Sequence, residues 1–241
     1  MEQLLSIKAN SSIFVLTGAG ISKESGVNTF RDQGGLWENH KITEVASLEG
    51  FRKNPALVYD FYNKRRKELN SGIEPNRAHY ALYDLEKTFK INIITQNIDN
   101  LHEKSGSLSI IHMHGELNKA RCIKNEHIHT WIEDLNETHK CSICGSQLRP
   151  HIVWFGEMPL QMDEIHAIAL ESSLFISVGT SGEVYPAAGF VSLFKEMKKP
   201  TVELNLEPSS NKDQFDFAIY KPATIAVEEF KKKLLNNVKL K

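Results

Sequence analysis

The 241-residue chain has only three cysteines, an odd number, and two of them form the pair in CSIC. That excludes a disulfide framework as its main support and points to metal or thiol chemistry in a reducing compartment. An excess of charge of one sign is also missing. The 29 Lys and Arg against 30 Asp and Glu leave a formal net charge of -1, so no polyanion partner is indicated and nucleic-acid binding is not expected. No apolar run reaches the roughly 18 residues a membrane span needs. The opening MEQLLSIKANSS has neither the basic end nor the apolar block of a secretion signal. A cytoplasmic, membrane-free protein is expected, and a monomer. Low-complexity linkers and internal repeats are missing as well.

What is there is ordinary globular composition, 41% hydrophobic and 24% charged, long enough for one domain or one domain with a smaller insert. SIFVLT (12–17), INIIT (91–95), LFISVG (174–179) and TVELN (201–205) are continuous apolar runs, as in strands covered on both faces. Helical patterns separate them: Ala78, Leu82, Leu85 and Phe89 share one stripe, and Val227, Phe230, Leu234 and Val238 another. Strands alternating with helices predict an α/β fold on a parallel sheet. Two segments break the alternation. Residues 36–71 read as wholly helical, and 116–150 are polar and cysteine-bearing. They are expected to form a small second lobe, leaving 1–35, 72–115 and 151–241 for the sheet domain. A cleft between two lobes is a common ligand site.

The run FVLTGAGISKESGVNTFR places Gly18, Ala19 and Gly20 after a strand, with Ser22 where a helix would begin. Glycines let backbone approach a phosphate, and a helix start offers free amides. A tight structural turn explains the same residues, since the spacing departs from G-x-G-x-x-G. A second turn, Gly179-Thr180-Ser181, follows another strand, and open α/β sheets bind ligands at such carboxyl ends. Gln96, Asn97 and Asp99 cluster after the INIIT strand; they suit sugar hydroxyls or a carboxamide, or simply a turn. His112 and His114 lie two apart and would share a face of a strand. His114 could be a general base or a satisfied core residue.

Cys122, Cys141 and Cys144 leave 18 residues between the first and second, the pattern of a zinc ribbon with one thiolate missing. Asn125 stands where the fourth cysteine would be. His127, His129 or His139 could complete a Cys3His site, or the module packs without metal. The helix VYDFYNKRRKEL turns Val58, Phe61, Arg65 and Leu69 to one face. It places Arg65 and Arg66 within reach of the Tyr62 hydroxyl, as a solvated rim or an anion receptor.

Taken in order, GAGIS, FRDQGGLW, TQNIDNLH, HMHGEL, CSIC, VWFGEMP, GTSGEVYPAAGF and ELNLEP resemble the sirtuins, the NAD-dependent protein-lysine deacylases, from about Ser12 to Phe230. The closest resemblance is to the bacterial CobB-type and desuccinylase branch. It implies a Rossmann-like parallel-sheet domain with a smaller helical and zinc-ribbon-like lobe. It also implies NAD as cosubstrate, a structural zinc, acyl-lysine protein substrates, and release of nicotinamide and O-acyl-ADP-ribose. By resemblance, Gly18, Ala19, Gly20 and Ser22 would line the diphosphate, and Phe30, Arg31 and Trp37 would lie in the cofactor loop. Gln96, Asn97, Ile98 and Asp99 would hold the nicotinamide ribose and carboxamide. Gly179, Thr180, Ser181, Asn205, Leu206, Glu207 and Ala223 would hold the adenosine. His114 would be the catalytic base, with Asn97 beside it, and Val153, Trp154, Phe155, Gly156 and Glu157 would pair with the substrate peptide. The resemblance also selects Tyr62 with Arg65 as receptor for the acidic end of a succinyl- or malonyl-lysine. Ala46 would widen that pocket and Arg66 would be the solvated partner. Many sirtuins read G-I-P-D-F-R where this chain has GVNTFR. The alternatives are a general deacetylase without preference for acidic acyl groups, an NAD-binding sensor, a sirtuin-like ADP-ribosyltransferase and a dehydrogenase. The last would carry the missing G-x-G-x-x-G.

Overall fold

The computed structural model describes residues 7–27, 36–37 and 40–239. Along the chain, β1 (Ser12–Thr17) is followed by two one-turn 3-10 segments, Ala19–Ile21 and Lys23–Ser25. Next come the short antiparallel pair β2 (Leu36–Trp37) and β3 (His40–Lys41), then α1 (Ile42–Val45), α2 (Leu48–Lys53) and α3 (Pro55–Asn70). Residues 36–71 are therefore not wholly helical, because Leu36–Trp37 and His40–Lys41 pair as short antiparallel strands. Helix α3 starts cleanly: the Asn54 side chain accepts from the Leu57 amide at 3.1 Å, and Pro55 sits where no amide partner is needed. After α4 (Arg77–Leu85) come β4 (Lys90–Thr95), α5 (Leu101–Lys104), β5 (Ile110–His112), β6 (Gly115–Cys122), β7 (Ile128–Thr130) and β8 (Leu148–Ile152). The chain closes with α6 (Met162–Glu171), β9 (Leu174–Val178), α7 (Phe190–Glu196), β10 (Thr201–Asn205), β11 (Phe217–Tyr220) and α8 (Ala223–Lys239).

Six strands form one parallel sheet in the order β11-β10-β9-β1-β4-β5. The chain runs outward from β1 through β4 to β5. It then crosses over to β9 and runs outward the other way. The order reverses between β1 and β9, which is where an open α/β sheet opens a crevice at its carboxyl end. Both faces of β1 are buried, which explains its unbroken apolar run. Ile13 and Val15 join the core under α4 and α8, with Ala78, Leu82, Val227 and Phe230. Phe14 and Leu16 point to the other side, with Phe175, Phe190 and Phe194. This is the α/β fold expected, with a Rossmann-like sheet.

A separate core joins α1 to α3 with the antiparallel sheet β7-β6-β8 through Val45, Phe51, Val58, Phe61, Leu117, Leu148 and Trp154. Gly115, at φ 83°, begins β6, and a Cβ there would meet the His151 carbonyl oxygen at 2.0 Å. No helix among the described residues is long and apolar enough to cross a membrane.

Candidate active site

The crevice between β1 and β9 is built by glycine backbone packed on glycine backbone. The Gly18 amide donates to the Val178 carbonyl and the Gly20 amide to the Gly179 carbonyl, both at 3.0 Å. A Cβ at Gly20 would lie 2.6 Å from the Gly179 Cα, and one at Gly18 would lie 2.7 Å from the Gly179 oxygen. The helix expected to begin at Ser22 is replaced by the two 3-10 turns. The Ile21 and Ser22 amides donate back to Gly18 and Ala19. These glycines are required by close contact between two loops, a reason the sequence reading did not supply.

Behind this loop, Gly18, Ser22, Asn97 and Asp99 converge. Asn97 Nδ2 donates to the Gly18 carbonyl at 3.1 Å and to Ser22 Oγ at 3.3 Å, and its amide donates to Thr95 Oγ1 at 3.0 Å. Ser22 Oγ donates to Asp99 Oδ2 at 3.0 Å, and the Leu101 amide to Asp99 Oδ1 at 3.1 Å. Burial pushes the Asp99 carboxyl above the usual range, against those two hydrogen bonds. Asn97 and Asp99 are buried, while Gln96 and Ile98 are half-buried.

His114 lies past the end of β5, so it does not share a strand face with His112 as the spacing suggested. Its Nδ1 is 3.2 Å from the Gln96 carbonyl oxygen. A carbonyl only accepts, so Nδ1 carries the proton and Nε2 of the neutral ring is left as a base. Burial lowers the His114 pKa, which keeps that nitrogen unprotonated at neutral pH.

On the other side of the crevice, Asn205 Nδ2 donates to the Thr180 carbonyl at 2.8 Å, and Thr180 Oγ1 pairs with Ser177 Oγ at 2.8 Å. Gly179, Thr180, Ser181 and Asn205 are thus brought to one edge. Leu206 and Glu207 are exposed beyond it, and Ala223 is buried at the start of α8. Thr224 ties that helix to the glycine loop, its amide and hydroxyl donating to Glu24 at 2.9 and 2.8 Å. Phe30, Arg31 and the Trp37 side chain lie outside the described residues.

A wall formed by α3 and its neighbours carries Tyr62, Arg65, Ala46 and Trp154, all buried. Trp154 Nε1 donates to the Tyr62 hydroxyl at 3.0 Å. Burial raises the Tyr62 pKa, opposed by Trp154 and by the Arg65 charge. Arg65 Nη1 donates to the Phe61 carbonyl at 2.6 Å and its guanidinium sits 3.3 Å from the Phe61 ring centroid. Arg66 is not the solvated partner expected: it is 1% exposed, with Nε on the Leu117 carbonyl at 2.7 Å and Nη1 on Asn63 Oδ1 and the Glu133 carbonyl. One α-helical step separates the two arginines by about 100°, and both sides of α3 are covered here, one by β6.

Residues 153–157 hold the wall together. The Val153 amide donates to the His114 carbonyl at 2.9 Å and the Phe155 amide to that of Ala46 at 3.0 Å. Glu157 takes Arg121 Nη2 at 3.0 Å, Arg149 and the Trp154 amide. Phe155 and Gly156 are exposed.

Cys122, His127, Cys141 and Cys144 offer ligand atoms all within 4.8 Å of one another. Cys122 and Cys144 Sγ are 3.3 Å apart, and His127 Nδ1 is 3.4 Å from Cys141 Sγ. Of the three histidines left open by spacing, His127 completes the cluster. His129 Nε2 touches Cys141 Sγ at 3.3 Å, and His139 instead takes the Asn136 amide. Three thiols and an imidazole at these separations fit Zn²⁺, with Zn–S about 2.3 Å and Zn–N about 2.0 Å.

The family model of the Sir2 family matches residues 18–186, from the first loop glycine past the second. The chain belongs to the Sir2 family. A relative from Pasteurella multocida (strain Pm70), called an NAD-dependent protein deacylase, is 56% identical over 223 residues, which span 90% of this chain and 95% of the relative. The crystal structure of a Sir2 homolog–NAD complex superposes with a TM-score of 0.86 at 34% identity, covering 99% of this chain and 95% of the other. A Sir2 structure bound to a propionylated peptide gives 0.78 at 28% identity, covering 100% and 98%.

Proposed function

We propose that the chain is an NAD-dependent protein-lysine deacylase that removes both acetyl groups and the acidic succinyl and malonyl groups. The observation that carries the enzyme reading is His114, held through Nδ1 on the Gln96 carbonyl with Nε2 left as a base, next to the turn that carries the buried Asn97 and Asp99. The relatives' names and their NAD and acyl-peptide complexes support it. Bound NAD supplies a ribose carbon from which nicotinamide departs. Asn97 and Asp99 would orient that half, Gly18, Ala19, Gly20 and Ser22 the diphosphate, and Thr180 and Asn205 the adenosine. His114 would take the proton from a ribose hydroxyl, so that the acyl group leaves on ADP-ribose. Orientation of this kind contributes roughly 7–11 kcal/mol in ideal cases.

In this reading residues 1–35, 72–115 and 151–241 act as the cofactor domain, and 36–71 with 116–150 form the opposite wall. The Cys122, His127, Cys141 and Cys144 set would hold a structural Zn²⁺ that cross-links that wall and takes no part in the reaction. The acidic-acyl preference rests on Tyr62 and Arg65, a phenol and a guanidinium buried side by side, both able to donate to a carboxylate. A second reading, a deacetylase without that preference, is favoured by the bond from Arg65 to the Phe61 carbonyl, which already engages one of its nitrogens.

Matched acetyl-lysine and succinyl-lysine peptides, with and without NAD, test both. NAD-dependent cleavage of both is expected, lost entirely in His114→Tyr, with desuccinylation lost selectively in Arg65→Met. Cleavage of acetyl-lysine alone by the unmodified protein would leave the second reading. Cleavage of neither would sink the enzyme reading.

A further inference from the structure

We infer that His112 is a positioning residue: a doubly protonated imidazolium that clamps the backbone of Asn97 to Glu103 and so holds the proposed NAD-binding turn in place. The inference rests on the cofactor reading above.

Three consecutive carbonyls of the turn are each taken by the HMHGEL segment. The Gln96 oxygen is 3.2 Å from His114 Nδ1 and the Asn97 oxygen 3.0 Å from His112 Nδ1, while the Ile98 oxygen accepts from the Leu117 amide at 2.8 Å. These bonds fix the stretch from which the Asn97 side chain reaches Gly18 and Ser22. The middle one differs from its neighbours. His112 Nε2 is also 2.7 Å from Glu103 Oε1. A backbone carbonyl and a carboxylate are both acceptors, and neutral imidazole has one N–H. Both contacts are satisfied only when both ring nitrogens are protonated.

The surroundings favour that cation. Glu103 on α5 and Glu116 on β6 raise the His112 pKa, as does the bond to Asn97, and together they outweigh a burial that lowers it. The His112 charge in turn helps hold Glu103 below its ordinary value and offsets part of the burial that raises the Asp99 carboxyl. The other titratable groups coupled to this pair are His102 on α5, Lys119 on β6 and His151 on β8. Among them the pull of Glu103 is the direct contact.

Loss of one proton leaves a single N–H for two acceptors. The carboxylate forms the stronger, charge-assisted bond, so the Asn97 carbonyl is the one released. The clamp is therefore intact at and below the ordinary histidine range, and it opens as pH rises through the raised value of His112. His114 keeps its Nδ1–H in both states and does not follow this change.

The test combines spectroscopy with kinetics on the full chain. Nitrogen-15 NMR of labelled histidines should show both His112 ring nitrogens protonated at pH 7, with a titration midpoint above 6.5. In the unmodified protein, KM and Kd for NAD should rise roughly tenfold or more across that midpoint, with kcat changing less. His112→Gln should show the weakened NAD affinity at every pH and lose the alkaline dependence. Glu103→Gln, half-exposed and therefore a mild change, should move the midpoint down. A neutral His112 ring at pH 7, or an alkaline rise in Kd that persists unchanged in His112→Gln, would overturn the inference. NAD binding with this pH dependence but no acyl removal would uphold the clamp while refuting the deacylase reading. No NAD binding at any pH overturns the cofactor reading and the role given to His112 together.

Discussion

At the residue scale, the two neighbouring arginines of α3 divide by what they face. Arg66 is held by two backbone carbonyls and Asn63, and its burial lowers its pKa to about 10 despite the Asp134 charge. Removing its guanidinium leaves the buried Leu117 carbonyl without its donor and frees the partly exposed Glu133 carbonyl. Arg66→Met should therefore cost about 2–4 kcal/mol of stability, read by denaturant unfolding, and lower cleavage of acetyl- and succinyl-peptides alike. An Arg66→Met protein as stable as the unmodified one would show that water replaces those bonds. Arg65→Met, by contrast, is expected to act on acyl choice.

At the element scale, the glycine loop after β1 and the one after β9 can approach only because neither carries a Cβ at the contact. Gly20→Ala places a methyl 2.6 Å from the Gly179 Cα, so one loop must move. A loss of about 1–3 kcal/mol is expected from overpacking, together with at least a tenfold weaker NAD affinity by calorimetry. Wild-type affinity in that variant would mean the loop contact does not shape the cofactor site. The sheet β7-β6-β8 poses a different problem. Its turns carry the Cys3His cluster, and Trp131 rests on His139 at 4.8 Å between ring centroids. Stripping metal with a chelator should shift Trp131 fluorescence and speed amide exchange in 116–152, while β1, β4 and β9 stay protected. Unchanged exchange after verified metal loss would show that the module packs without it.

At the scale of the whole molecule, several histidines are buried as neutral rings. Burial lowers His79 and His151 to about 4 each, and pushes His102 well below the ordinary value. An unfolded chain takes up protons on these rings near pH 6.5, and the folded chain only near 4. Stability is thus fully present above 6.5 and lost as pH falls from 6.5 through 4. His79 alone, fully buried, accounts for a loss on the order of 3 kcal/mol. Urea midpoints measured from pH 7 to pH 4 should drop accordingly, and His79→Gln should flatten part of the slope. A midpoint independent of pH over that range would mean that these rings are reached by water. His112 acts in the opposite sense: its raised value gives stability that is present at low pH and lost as pH rises through it.

By itself the sequence determined the α/β class, the four strands it marked, helices over the stripes it read at 58–69 and 227–238 and from Ala78 to Leu85, with Phe89 falling past the end of α4, and the family. These depend on short-range signals: apolar runs, helical spacing and motifs in fixed order. Only the tertiary structure decided what depends on contact between distant segments. Strand order across β1 and β9 created the crevice, and the reason for Gly18 and Gly20 became a loop 160 residues away. Spacing left His127, His129 and His139 equivalent, and the fold of the turn after Cys122 brought His127 to the thiols. Helical spacing left Arg65 and Arg66 open and the resemblance put Arg66 in water, whereas α3 is covered on that side by the Leu117 strand. The Glu103 and His112 pair gave no local signal, because a carboxylate and an imidazole on separate elements acquire a common charge state only when folding brings them to 2.7 Å.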